Sequence, residues 1–272
     1  MFDTCANPRT RTGDALYDQM GNPVGTLGAV MSSPRPGKAD AYVVLTAGHV
    51  IPNGDDRLLV KNRKLDTWTP LKVAPRFRRF HDRPLHRRNE NCSFQDDIGI
   101  LFVAENNLGH FSSRIANLNL HYFNSEHHEF SLSEVTNPVG MSRRDSIQDL
   151  LSLGPIIVYK TGALTDLTMG RFVEILDHAP MGWYKPEEDK GLNLKEAERD
   201  VNEWLGLVEW MDVPFTASGD SGSLVFARQD GIHIPLGIHV GSPGNTRTSI
   251  FISLETFCYE AESEGLELRF CY

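Results

Sequence analysis

Cysteine is scarce in this chain. Its four cysteines, Cys5, Cys92, Cys258 and Cys271, form no CxxC spacing, and no histidine completes a zinc pattern. That excludes a small disulfide-built scaffold and a zinc ribbon, and neither metal nor cofactor is expected. The thiols are expected to be free in a reducing, cytoplasmic compartment, with a Cys258–Cys271 bond as the alternative. Long apolar runs are also missing: nothing approaches the roughly 18 residues of a membrane-spanning helix. The segment 1–14, MFDTCANPRTRTGD, lacks the charged-then-apolar plan of a secretory leader. Positive charge is in deficit, with 27 Lys and Arg against 36 Asp and Glu and a net charge of −9, which disfavours a nucleic-acid partner. One segment departs from that average: 72–88 carries seven basic residues against Asp82 alone. It is read as a solvated loop, the competing reading being a nucleic-acid-binding module. Glycine (23) and proline (15) are too few for a collagenous or low-complexity chain.

With 40% hydrophobic residues, the chain has ample material for a core. That material is dealt out in short pieces: 24–31, 41–45, 57–60, 98–103, 156–159, 171–176, 205–210, 223–227, 234–240 and 249–252. Each is bounded by Gly, Pro, Asn, Asp or Ser, the pattern of a β-barrel or sandwich. The pieces do not alternate with helices, so a parallel α/β sheet is not expected. Helical spacing occurs twice. Segment 186–204 is charged, with Leu194, Ala197 and Val201 on one face, and 253–263 has Ser253 as N-cap and Glu255 in its first turn. The stretch 123–151 is polar and unpatterned.

Three short motifs carry the chemistry. The first is Ser218-Gly219-Asp220-Ser221-Gly222-Ser223 before an apolar strand. A hydroxyl flanked by glycines can be presented outward while backbone N–H groups converge on a developing oxyanion, which a Cβ would obstruct. Thr46-Ala47-Gly48-His49-Val50 closes a strand with a histidine, a side chain suited to general-base work near neutrality. Asp96-Asp97-Ile98 opens another strand, where a covered carboxylate could bind the far nitrogen of such a histidine. Each has a plain alternative: a Gly/Asp/Ser turn, a structural histidine, and an Asp that starts a strand.

Together, and in the order His, Asp, Ser, these motifs resemble the chymotrypsin/trypsin-like serine endopeptidases, over about residues 24–260. The resemblance implies an all-β fold of two antiparallel six-stranded barrels with a C-terminal helix and a helical insertion near 186–204. Residues 1–122 would be the first barrel, 123–154 a connector, and 155–272 the second barrel. Ser221 would be the nucleophile, His49 its base and Asp97 the group orienting His49. The N–H groups of Gly219 and Ser221 would form the oxyanion hole. Substrate-binding positions would be Thr216, Ser218, His239 and Gly241. Phe215 stands where trypsin-type pockets carry an Asp, so a basic preference is not expected. Thr216 and His239 are instead similar to pocket residues of glutamyl endopeptidases and picornaviral proteases, which implies cleavage after Glu or Gln.

The resemblance also has gaps. No Ile-Val-Gly-Gly-type sequence precedes residue 24, and His49 lacks the adjacent Cys of secreted trypsins. Asp220 therefore needs a partner other than a released amino terminus, or its loop must be ordered by substrate or a partner protein. The expected partner is a protein or peptide substrate, with no nucleic acid and no membrane, in a regulatory rather than digestive setting that could include a larger host protein. A catalytically silent, protein-binding relative is the alternative.

Overall fold

Segment 98–103, IGILFV, has no polar member, so a strand made from it must be covered on both faces. It is the interior strand β8 of the first sheet. The computed structural model describes residues 10–34, 41–52, 55–62, 67–74, 97–115, 143–176, 204–229, 232–242, 246–263 and 265–270. In chain order the first strands are β1 (Thr10–Thr12), β2 (Ala15–Tyr17), β3 (Pro23–Thr26), β4 (Ala29–Ser33) and β5 (Ala41–Ala47). They are followed by β6 (Arg57–Asn62), β7 (Thr67–Val73), β8 (Ile98–Val103) and β9 (Phe111–Ile115). Helix α1 (Arg144–Ser152) leads into β10 (Ile156–Gly162), β11 (Asp166–Leu176), β12 (Leu205–Trp210), β13 (Leu224–Gln229), β14 (Ile232–Gly241) and β15 (Thr248–Ser253). Helix α2 (Leu254–Ser263) and strand β16 (Arg269–Phe270) follow.

The protein is all-β with two barrel-like halves. Strands β10–β11–β12–β15–β14–β13 close an antiparallel six-stranded barrel, as expected for the second half. The first half differs in strand count from the expected six: it is an eight-stranded sheet, β16–β4–β5–β8–β7–β6–β2–β3, beside a parallel β1–β9 pair. Strand β16 supplies part of that difference, because the chain returns after α2 to pair with β4. One apolar core runs from Leu45, Ile100 and Leu101 of the sheet into Leu224, Ile238 and Ile252 of the barrel. A second gathers Phe172, Trp204, Phe215 and Phe251 inside the barrel.

Three local outcomes matter for the site. Segment 24–31 is two strands rather than one, because the chain turns aside at Leu27–Gly28. There Thr26 N donates to Ser221 O (2.8 Å) in the other half of the molecule and Gly28 N to Leu45 O (2.9 Å) of β5, so the break is imposed by bonds to residues distant in the chain. Helix α1 lies within the stretch that reads as unpatterned. It buries Ile147 and has no side-chain N-cap of its own, and its Arg144 N–H is met instead by Glu255 of α2 at 2.8 Å. Helix α2 begins as its sequence suggests, with Thr256 N donating to Ser253 Oγ (3.0 Å). The insertion at 186–203, the basic stretch beyond residue 74, the connector at 123–142, Asp96, Cys5, Cys92 and Cys271 lie outside the described residues.

Candidate active site

Strands β5 and β8 pair so that Ala47 faces Ile98, which brings the residues just outside the pair, Gly48-His49 and Asp97, together. Gly48 N donates to Asp97 O (2.9 Å) and His49 N to Asp97 Oδ1 (2.6 Å). The ring follows: His49 Nδ1 lies 2.7 Å from Asp97 Oδ2. A carboxylate accepts, so this bond selects the Nδ1–H tautomer and leaves the lone pair on Nε2. Gly48 suits the close approach, since a Cβ there would sit 3.1 Å from Asp97 Oδ1 and press on the carboxylate. The Asp97 side chain is 10% exposed and that of His49 34%, so the carboxylate is covered while the ring keeps an open side.

The Ser221 loop is built from the barrel side. Gly222 has φ +95°, and a Cβ on it would collide with Thr46 Oγ1 and the Thr26 carbonyl, so only glycine fits this seam between the halves. Within the loop, Asp220 N donates to Ala217 O (3.0 Å), Ser223 N to Asp220 O (3.0 Å) and Gly222 N to His239 O (2.7 Å). The N–H groups of Gly219 and Ser221 have no acceptor among the described residues. Ser221 Oγ donates to Val240 O at 3.3 Å. That carbonyl is available because Val240 is an extra residue: His239 pairs with Phe251 but Gly241 already with Ile250, a β-bulge beside the serine. The Ser221 and His49 segments approach each other around Gly25, where a Cβ would collide with the Val50 side chain and lie 2.9 Å from the Ser221 carbonyl.

Asp220 has its partner inside the fold. Lys160 Nζ lies 2.8 Å from Asp220 Oδ2, with both side chains wholly buried. Thr165 Oγ1 (2.6 Å) and Ala217 N (3.0 Å) also donate to Oδ2, and Leu164 N (3.1 Å) and Thr165 N (3.3 Å) to Oδ1. Burial by itself raises the Asp220 pKa, but Lys160 and these donors outweigh it and hold the carboxyl below its ordinary value. Burial pushes the Lys160 ammonium down against the pull of Asp220. The ammonium also sits 5.4 Å from the centre of the Phe215 ring. Sequence reading named neither Lys160 nor Thr165. The available signal was a lysine at an inward position of an alternating strand, since Lys160 follows buried Val158 at period two.

The expected pocket residues are unequally placed. His239 is 1% exposed, and neither ring nitrogen meets a hydrogen-bond partner of good geometry among the described residues. Burial and the Lys160 charge depress its pKa to about 3, against which Asp220 pulls weakly, so the ring is neutral near pH 7. Its ring centre lies 6.3 Å from that of Phe215, whose side chain is fully buried. Thr216 Oγ1 makes a long 3.5 Å contact to Ala217 O, Ser218 is exposed, and Gly241 ends β14. A hollow of about 600 Å³ lies elsewhere, on the β11–β12–β15 face beside Arg171, Trp210 and Arg247, and contains none of these groups. Cys258 is a free thiol, raised to about 12 by burial and by Glu255 and Glu262.

Similar folds occur among solved structures. A Cellulomonas bogoriensis chymotrypsin has a TM-score of 0.49 and 15% identity, covering 96% of this chain and 99% of its own. Thermobifida fusca protease A has a TM-score of 0.47 and 13% identity, covering 96% of this chain and 100% of its own. A glutamic acid-specific serine protease, described as using a histidine triad in substrate binding, has a TM-score of 0.48 and 15% identity over the same shares. No protein-family model matches the chain, and no curated protein sequence does.

Proposed function

We propose that this protein is a serine endopeptidase acting through Ser221, His49 and Asp97. The observation that carries the reading is the doubly bonded Asp97–His49 pair, meeting at one seam a glycine-flanked serine whose loop keeps two backbone N–H groups unspent. In the reaction, Ser221 Oγ would attack the scissile carbonyl as its proton passes to His49 Nε2. The carbonyl oxygen would take negative charge beside the N–H groups of Gly219 and Ser221. Collapse breaks the C–N bond, with the His49 proton going to the leaving amine, and water then reverses these steps to free the acyl group. Asp97 holds the ring and stabilises the imidazolium. Proton transfer requires Ser221 Oγ to leave the Val240 carbonyl it now donates to. That bond is the observation favouring the second reading, a silent protein-binding domain.

Specificity for Glu or Gln before the cut rests on Thr216 and His239. A neutral imidazole offers one donor and one acceptor, both of which a carboxamide can use, whereas a carboxylate takes only the donor and its buried charge is offset only if His239 is protonated. The reading therefore places Gln ahead of Glu. The site's assembly around the internal Lys160–Asp220 pair, rather than a released amino terminus, supports a regulatory enzyme over a digestive one. The deciding test is labelling by a fluorophosphonate with a peptide-library profile. Labelling at Ser221 that is lost in Ser221→Ala, with cleavage after Gln or Glu, is expected. An unlabelled wild-type protein would leave the silent domain standing. A profile dominated by Arg, Lys or large apolar residues, unchanged in His239→Ala, would remove the specificity alone.

A further inference from the structure

Gly219 has φ +105° and no atom within 4 Å of where a Cβ would lie, so packing does not hold it. Among the described residues, its backbone makes one hydrogen bond: its carbonyl accepts from Thr26 Oγ1 at 2.9 Å. Thr26 is the last residue of β3, in the other half of the molecule, and is fully buried. Every polar atom it has is engaged. Its hydroxyl accepts from Ala163 N (3.0 Å), its N–H donates to Ser221 O (2.8 Å), and its carbonyl accepts from Thr46 Oγ1 (2.9 Å). Because an amide can only donate, the Ala163 bond commits the hydroxyl's single hydrogen to Gly219. The next two residues of that hairpin, Leu164 and Thr165, hold the Asp220 carboxylate.

We propose that Thr26 is a positioning residue for the oxyanion hole, its hydroxyl and N–H fixing the carbonyls of Gly219 and Ser221 so that their own N–H groups stay aimed outward. This rests on the protease reading. It explains why the seam is polar: the hole belongs to the barrel, but its orientation is imposed from the first sheet. Without the hydroxyl, a glycine free to choose its ψ is released, and the preorganisation that makes oxyanion donors effective is lost.

The test compares Thr26→Val, which keeps shape and removes the hydroxyl, with Thr26→Ser, which keeps the hydroxyl. One lost oxyanion donor costs about 10²–10³ in kcat. A loosened donor should cost less, about tenfold to a hundredfold in kcat with KM little changed. A peptide aldehyde, whose hemiacetal oxygen would occupy the hole, should weaken by the same factor, while the matching peptide acid binds unchanged. Thr26→Ser should restore most of the loss. Thr26→Ala carries the same expectation should Thr26→Val not fold. Wild-type kcat and aldehyde affinity in the valine variant would overturn the proposal, as would equal weakening of aldehyde and acid, or no recovery with serine. A wild-type protein that neither cleaves peptides nor labels with fluorophosphonate would refute the protease reading itself, and this inference with it.

Discussion

Lys160→Met is the most informative single change, because its effect on stability and on the site can be separated. The substitution keeps bulk in the barrel but removes the one cation among the described residues bonded to Asp220, a carboxylate with no exposed surface. Four neutral donors would remain: Leu164 N, Thr165 N, Thr165 Oγ1 and Ala217 N. Removing one partner of a buried pair costs about 3–5 kcal/mol, since the other charge is left uncompensated. In the wild type the Asp220 pKa is lowered, so its contribution is present above the ordinary value of 3.8 and fades as pH falls through the lowered one. In the variant the pull of Lys160 is gone and burial, the largest influence, is opposed only by the neutral donors, so the pKa should rise: protonation then relieves the stranded charge, and the deficit narrows on acidification. Denaturant unfolding of both proteins at neutral and mildly acidic pH measures this. Adding Asp220→Asn should recover much of the stability without restoring activity, because the loop would still lack its anchor. A loss below about 1 kcal/mol at neutral pH, or a loss independent of pH, would refute the reasoning.

Ser221→Ala and His49→Ala should each abolish cleavage, and the double variant should lose little more, since the two act as a unit; near-wild-type turnover in either would remove the mechanism. Gly222→Ala should be both inactive and destabilised, as its Cβ would meet Thr46 Oγ1 and the Thr26 carbonyl with φ at +95°, and a normal melting temperature would refute that. The buried neutral His239 should make the fold acid-sensitive. Its pKa falls from 6.5 to about 3, so stability is full above pH 6.5 and is lost toward pH 3 at about 1.4 kcal/mol per unit. His239→Phe should lessen that slope in unfolding experiments across the same range, leaving the share of His233, whose pKa burial lowers to about 4; an unchanged slope would refute it.

Much of this architecture was legible in residue order. Segments 98–103 and 205–210 read as strands with the bounds they have, and Ser253 read as the cap it is. In each case the signal is local, an apolar run between turn residues or a hydroxyl one turn before an N–H. Helix α1 escaped because its cap comes from Glu255, far along the chain. The single strand expected at 24–31 is broken at Leu27–Gly28 by bonds to Leu45 and, from Thr26, to Ser221.

The same division runs through the site. Sequence alone supplied the cast of the proposed site, His49, Asp97, Ser221 and the glycines around the serine, because the proposed roles need particular side chains at short, fixed offsets from strand ends. It could not determine which group neutralises Asp220, nor what steadies Gly219. Those partners, Lys160 and Thr26, lie in separate strands, and their side chains acquire a role only when the barrel closes and the first sheet is pressed against it. Burial then makes each bond costly to leave unmade, a condition that arises only in the packed tertiary structure.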